Sequence, residues 1–126
     1  MNNNESMEMY LETVYLLENN HGHAHVVDIA NRLGVSMPSV SKAIKQLKSQ
    51  GLVNKQKYGT ITLTEKGIEV SKQIYATHQL VTLFLEHSLN LSAEEADKNA
   101  CKIEHVLSNE MLEAIKNYLK IHNIEG

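Results

Sequence analysis

Apolar residues recur at three- and four-residue spacing through most of this chain, a spacing that predicts amphipathic helices. The first such stretch covers residues 6–19, and a second, short helix is expected over residues 25–33. A third helix follows Ser36, which suits an N-cap, with Pro38 in the first turn and an apolar face that lasts to Gly51. Gly34 permits the left-handed backbone that a tight turn between the second and third helices needs.

After Gly51 the pattern changes to alternation. Residues 52–56 and 60–64 are rich in β-branched side chains and flank a basic tip, which predicts a small β-hairpin. A long helix then runs to a break at residues 90–92, where Ser92 and Glu95 form a capping box, and Ser108 starts a last helix. The predicted fold is mainly α with a β-hairpin wing: a winged helix-turn-helix DNA-binding domain over residues 1–66 and an α-helical metal-binding and dimerisation domain over residues 67–126.

Charge is distributed unevenly along the chain. The net charge is -3, yet residues 29–64 carry six basic side chains and no acidic one. A basic segment in an acidic chain indicates a polyanionic partner, here double-stranded operator DNA. The third helix would enter the major groove with its N-terminal end, and the wing would reach a neighbouring phosphate track. The residues expected to contact DNA are Ser36, Pro38, Ser39, Ser41, Lys42, Lys45, Lys55, Lys57 and Tyr58.

A second chemical pattern lies near the C-terminus. Cys101, Glu104 and His105 are spaced so that a continuous helix would present all three on one face. A thiol, a carboxylate and an imidazole together suit a divalent transition metal. Cys101 is the single cysteine, so no intramolecular disulfide competes to explain it, and the chain is expected to work in the cytoplasm. No apolar run reaches the length of a membrane span, so no membrane partner is expected.

Three segments together resemble the diphtheria-toxin-repressor family of iron- and manganese-dependent transcriptional repressors. They are residues 8–15, residues 35–53 and residues 100–108, the last of which contains the Cys-x-x-Glu-His motif. The resemblance covers nearly the whole chain. It corresponds to the short form of the family, because the chain ends at Gly126, before the SH3-like domain of longer members.

The resemblance implies metal ligands on two parts of the chain. The primary site of the iron-responsive branch corresponds to Met9, Cys101, Glu104 and His105. The second site of the family corresponds to His78, but Thr82 and Asp97 stand where further ligands are expected, so this site is altered. Glu12 matches a ligand of the manganese-responsive branch and is a further expected ligand.

The identity of the metal follows from the donor atoms. The manganese branch has carboxylates where this chain has Met9 and Cys101. Thioether and thiolate favour Fe(II) over the harder Mn(II), so Fe(II) is expected, with Mn(II) as the alternative and Co(II), Ni(II) or Zn(II) as ions that could bind in vitro.

The expected function is a homodimeric, metal-dependent repressor of metal-uptake genes, with no enzymatic activity and no organic cofactor. Two alternatives remain open at the level of sequence. One is a winged-helix regulator that needs no metal, and the other is a thiol redox sensor built on Cys101. A metalloenzyme is disfavoured because no further general base is evident near the motif, and because it would leave the DNA-binding half unexplained.

Overall fold

A computed structural model of the chain describes residues 5–56 and 59–124, with side chains from residue 6 onward. The described residues form α-helices and three short strands. In chain order the elements are α1 (Glu5–His21), β1 (Ala24–His25), α2 (Val26–Leu33), α3 (Met37–Ser49), β2 (Val53–Lys55), β3 (Thr60–Leu63), α4 (Glu65–Leu89), α5 (Ala93–Ile103) and α6 (Asn109–Ile121). The mainly helical fold with an N-terminal helix-turn-helix and a small wing is thereby confirmed.

The wing differs from the prediction in having a third strand. The sheet order is β1-β3-β2, with Ala24 paired to Ile61 and His25 paired to Thr60, both antiparallel. The expectation that His25 begins the second helix is therefore wrong. Its backbone is extended, at φ -121° and ψ 155°, and it is the N-cap residue of α2. Because Ala24 and Ile61 are both fully buried, this pairing closes the sheet over the core.

The chain divides into two compact units, Met1–Lys72 and Gln73–Gly126, and the boundary falls within α4. The sequence pattern predicts a boundary slightly earlier, between residues 66 and 67. Among the described residues, no helix has the length and apolar character that crossing a membrane requires.

The core of the first unit is aliphatic and joins the helices to the wing. The largest aliphatic side chains that are fully buried there are Leu11, Val14, Ile29, Val40, Ile44, Leu47, Val53 and Ile61. Glu18 fixes the wing against α1, since its Oε2 accepts a 3.0 Å hydrogen bond from the backbone N–H of Leu63. The expected N-cap of α3 is confirmed: Oγ of Ser36 accepts from the N–H of Ser39 at 3.2 Å.

The second unit has its own core between α4, α5 and α6. Its buried members are Val81, Leu85, Ala96, Ala100, Ile115 and Leu119. Both predicted serine caps are present here, with Ser92 accepting from the N–H of Glu95 and Ser108 from that of Met111. The carboxylate of Glu95 accepts a hydrogen bond from the side chain of Asn99. This core places one face of α5 against α4, and the candidate ligands lie along that contact.

Candidate metal centre and DNA-binding surface

His78 on α4 lies at the centre of a polar cluster in the second unit. Its Nδ1 is 2.7 Å from Oε2 of Glu104, and its Nε2 is 2.7 Å from Oδ1 of Asp97. Both partners come from α5 and its C-terminal turn. One imidazole therefore connects two carboxylates that are seven residues apart in sequence.

The two carboxylates change the acidity of the imidazole. The hydrogen bond to Glu104 is the largest cause that raises the pKa of His78 from 6.5 to about 9, and the bond to Asp97 adds to it, while burial opposes both. With the ring protonated at neutral pH, both of its N–H groups donate, one to each carboxylate. The positive charge between the carboxylates stabilises the buried side chain of Glu104, which is only 1% exposed.

Cys101 and His105 complete the cluster from α5 and the turn after it. Sγ of Cys101 lies 3.9 Å from Nδ1 of His78. Nε2 of His105 lies 3.1 Å from Oε1 of Glu104, and both of these side chains are 1% exposed. The prediction of one continuous helical face through His105 is wrong, because α5 ends at Ile103 and Glu104 is its C-cap residue.

Position on the face of α5 explains why these ligand types differ in exposure. Cys101 is exposed, whereas Glu104 follows the buried Ala100 by one turn, donates its N–H to the Ala100 backbone oxygen at 2.9 Å, and is buried as well. The cluster thus has an outer thiol and an inner carboxylate, with the His78 ring in contact with both.

The donor set fits a divalent transition metal. Ligand atoms of His78, Asp97 and Cys101 all lie within 4.8 Å of one another. Imidazole nitrogen, carboxylate oxygen and thiolate sulfur are ligands that borderline ions of the first transition row accept. A bound cation would also supply the charge that the buried carboxylate of Glu104 requires.

Asp97 is a site residue that the sequence pattern did not identify as such. It stands where the resemblance leads one to expect a histidine, and its carboxylate contacts Nε2 of His78 instead. Thr82, at the other altered position, uses its hydroxyl to donate a 2.8 Å hydrogen bond to the backbone oxygen of His78. That bond lies within α4, so the Thr82 hydroxyl is directed to the helix backbone and not to the ring of His78. The pairing of Asp97 with His78 spans 19 residues and leaves no local sequence signal.

The expected ligands of the first unit lie on α1. Met9 is 39% exposed, whereas its neighbours Met7 and Leu11 are buried in the core. Glu12 is buried. A thioether kept out of the core is available for coordination, which is the opposite of the usual packing role of methionine. Thr13, one turn after Met9, donates a 2.8 Å hydrogen bond to the Met9 backbone oxygen.

Those of the expected DNA-binding residues that the structure describes lie at the start and on the outer face of α3 and on strand β2. Val40, Ala43, Ile44 and Leu47 fill the inner face of the helix. The exposed residues among those predicted are Ser36, Pro38, Ser39, Ser41, Lys42, Lys45 and Lys55. Lys57 and Tyr58 lie outside the described residues. Ser36 and Ser39 also contact each other, since their hydroxyl oxygens are 2.8 Å apart.

The His21, His23 and His25 run of the sequence does not form a metal cluster among the described residues. His21 and His23 are exposed near a shallow surface pocket of about 520 Å³, which Asp28 and Arg32 also line. His25 belongs to the wing sheet and is half-buried.

Known proteins with similar sequences and structures place the chain in a family. The family model described as "Iron dependent repressor, N-terminal DNA binding domain" matches residues 4–61. The model described as "Iron dependent repressor, metal binding and dimerisation domain" matches residues 64–122. The two matches together cover nearly the whole chain, and they assign DNA binding to the first unit and metal binding with dimerisation to the second.

Individual relatives agree with that assignment. An HTH-type transcriptional regulator of Methanocaldococcus jannaschii is 38% identical over 117 residues, 92% of this chain and 94% of its own length. The transcriptional regulator MntR of Lysinibacillus sphaericus is 34% identical over 116 residues, 92% of this chain and 83% of its own length. The solved structure of a manganese-dependent transcriptional repressor in complex with manganese superposes with a TM-score of 0.80 at 27% identity, over 90% of this chain. The chain spans about half the length of that structure, 52%. The chain belongs to the iron-dependent repressor family of metal-dependent, DNA-binding transcriptional regulators.

Proposed function

We propose that this protein is a cytoplasmic repressor of metal-uptake genes that binds operator DNA when it is loaded with Fe(II), with Mn(II) as the alternative ion. The observation that carries the proposal is the convergence of Glu104, Cys101 and Asp97 on the His78 ring. This cluster lies in the segment that matches the metal-binding and dimerisation domain of the family.

The proposed ligands come from both matched segments. In the second unit they are Cys101, Glu104 and His105, with His78 as a ligand of a second ion, and their contacts with one another support this set. In the first unit they are Met9 and Glu12, an assignment that rests on the sequence resemblance. When bound, the ion supplies a positive charge that neutralises the carboxylate and the thiolate. The chain's own contribution is a set of donors held in place by α4 and by the end of α5.

The preference for Fe(II) rests on sulfur. Met9 and Cys101 offer a thioether and a thiolate, and softer donors disfavour Mn(II), which is best held by carboxylates and water. Relatives named as manganese regulators keep Mn(II) as the alternative. Competition between Fe(II) and Mn(II) for the same protein therefore determines which ion it prefers.

Coupling to DNA follows from the positions of the ligands in the chain. Met9 and Glu12 are on α1, which packs against α3, the helix proposed to enter the major groove. Ligands from both units would select the conformations that fit an operator. Because linkage is reciprocal, operator DNA must then raise the affinity for the metal by the same factor.

A homodimer is proposed through the second unit. Several of its large apolar side chains are exposed, namely Leu89, Ile103, Val106, Met111 and Ile121. Exposed apolar side chains of this size are commonly buried in stable homodimers. A dimer also presents two copies of α3 to one DNA duplex, so an operator with two half-sites is expected.

One anaerobic titration tests the proposal. The full chain first enriches duplexes from a random-sequence library, and binding to the enriched duplex is then measured with Fe(II), Mn(II), Co(II) or Zn(II) and with a chelator. We expect binding to require metal, with Fe(II) effective at the lowest concentration. Equal binding in the chelator would contradict the proposal and favour a metal-independent regulator.

A thiol sensor is the second candidate because Cys101 is exposed and lies beside an imidazole. If oxidation is the signal, peroxide treatment abolishes DNA binding of the wild type under metal-saturating conditions. The Cys101→Ser variant would then bind DNA with metal and resist peroxide, whereas a metal sensor loses metal activation in that variant.

A further inference from the structure

The first turn of α3 exposes a large apolar side chain that was not among the expected DNA contacts. Met37 is the first residue of α3 and is 49% exposed. The fully buried residues of the helix begin only at Val40, so about half of the Met37 side chain remains open to solvent at the edge of the inner face. Since Met37 stands at the N-terminal end of the helix proposed to enter the major groove, its exposed thioether chain is placed where base edges are read.

The polar groups beside Met37 are partly committed to capping. Oγ of Ser36 accepts the N–H of Ser39 and also lies 2.8 Å from the hydroxyl of that residue. One of the two hydroxyl hydrogens is therefore used within the cap. Pro38 has no N–H to offer. The surface that the first turn of α3 presents to solvent is therefore more apolar than its serine-rich sequence suggests.

The charges around this turn indicate which partner covers it. No acidic residue lies in the first turn of α3, and Lys42 and Lys45 are exposed further along the same helix. Residues 29–64 contain no acidic side chain at all. An exposed apolar side chain on a helix whose charged residues are all basic fits a polyanion better than an apolar protein surface. The occupant of this surface is therefore duplex DNA.

DNA offers one apolar group in the major groove, the 5-methyl group of thymine. We propose that Met37 packs against a thymine methyl group and thereby selects thymine at one position of each operator half-site. The inference rests on the proposed function as a DNA-binding repressor and adds a specificity-determining residue to it. The flexible thioether chain of methionine suits this contact, because it adapts its shape to the methyl group without a rigid fit.

The test removes single methyl groups from DNA. Wild-type protein loaded with Mn(II) enriches a duplex from a random-sequence library, and each thymine of that duplex is then replaced singly by deoxyuridine. We expect that in each half-site one thymine is sensitive, so that its replacement alone weakens wild-type binding about four-fold. That factor corresponds to the free energy of burying one methyl group. The Met37→Ala variant should bind the thymine and deoxyuridine duplexes equally, and Met37→Leu should keep the discrimination.

Lys45→Gln serves as the matched control, because it removes an exposed charge of the same helix. It should weaken binding to both duplexes and leave their ratio unchanged. The proposal is overturned if every thymine replacement has the same effect on wild type and Met37→Ala, or if the wild type enriches no sequence. Failure of metal activation would instead appear as equal affinity for DNA with Mn(II) and with chelator. That comparison is separate from the comparison of thymine and deoxyuridine duplexes, so the two proposals can fail independently.

Discussion

The carboxylate of Asp97 holds the ring of His78 from the side that faces away from Glu104, with Oδ1 2.7 Å from Nε2. That contact leaves Nδ1 directed toward Glu104 and Cys101. A carboxylate on the far nitrogen of a metal-binding histidine fixes the tautomer and orientation of the ring. Asp97 is therefore placed to act as a positioning residue for His78, although it is itself mostly exposed.

Replacing Asp97 with Asn tests this role. The amide cannot provide the negative charge that orients the imidazole, so we expect the affinity for Co(II) to fall about 10- to 100-fold. The thiolate-to-Co(II) charge-transfer absorption should persist at saturation, because Cys101 is untouched. Glu94→Gln, at an exposed position of the same helix, is the control and should bind Co(II) like the wild type. A changed absorption spectrum in Asp97→Asn would show that Asp97 coordinates the metal directly.

Stability of the metal-free protein should depend on pH through His78. Its folded-state pKa is raised to about 9 from 6.5, mainly by Glu104. The protonated ring therefore stabilises the fold fully below pH 6.5, and this contribution disappears as the pH rises through about 9. We expect a loss on the order of 2 kcal/mol across that window, measured by urea unfolding in the presence of chelator.

Two histidine variants isolate this effect. His78→Gln should abolish most of the pH dependence between those limits, since its side chain does not titrate. His87→Gln, at an exposed position of α4, should unfold with the same pH dependence as the wild type. An NMR titration that assigns an ordinary midpoint to the His78 ring would contradict the prediction.

The features that sequence alone predicted are those specified locally. Ser36, Ser92 and Ser108 start helices because a serine hydroxyl can accept an N–H three residues later, and all three caps are present. The break at Asn90 is also local, since this residue has a positive φ of 57°. Such signals lie within a few residues of the feature that they predict.

The features that sequence missed depend on contacts between distant residues. Strand β1 is two residues long and exists only because Ala24 and His25 pair with β3, which lies much later in the chain. The contact between Asp97 and His78 likewise joins two helices. Neither the strand nor this contact leaves a periodic pattern in the sequence. The contact becomes visible only when α4 packs against α5, and the strand only when the wing packs against α1.

Metal preference should change when sulfur ligands are replaced by carboxylates. The Met9→Asp/Cys101→Glu double variant has the donor types of the manganese branch, so we expect its preference to move from Fe(II) toward Mn(II). Anaerobic competition between the two ions, followed by metal analysis of the recovered protein, measures the ratio. The Met7→Leu variant, altered at a buried core residue of α1, should keep the wild-type ratio. An unchanged preference in the double variant would contradict the inference that the two sulfur ligands determine the preference for Fe(II).

Positive charge on α3 should determine the salt dependence of DNA binding. If Lys45 neutralises one phosphate, Lys45→Gln should make the slope of log K against log salt shallower by about 0.9. The enriched duplex, titrated at several salt concentrations with saturating metal, gives the slope. Lys98→Gln, an exposed lysine of α5 in the metal-binding unit, should leave the slope unchanged. Equal slopes for Lys45→Gln and the wild type would show that Lys45 neutralises no phosphate and that α3 lies on the DNA differently from what is proposed.

Close packing at the start of α4 makes Gly67 a position where a methyl group is not tolerated. A Cβ atom there would lie 2.0 Å from the backbone oxygen of Leu52, which leads into β2. The same turn is fixed by Thr64, whose hydroxyl donates to the Gly51 oxygen at 2.6 Å and accepts from the Gly67 N–H.

The Gly67→Ala variant must therefore displace the backbone between α3 and β2. We expect it to lower the free energy of unfolding by about 2–4 kcal/mol, although alanine favours helix. Gln73→Ala, at an exposed position of the same helix, should change stability by no more than about 0.5 kcal/mol. Chemical unfolding of both variants in chelator measures the difference. Wild-type stability in Gly67→Ala would mean that the wing and α4 approach each other less closely than the structure shows. Because β2 carries Lys55 toward the proposed DNA surface, the same variant should also weaken binding to the enriched duplex.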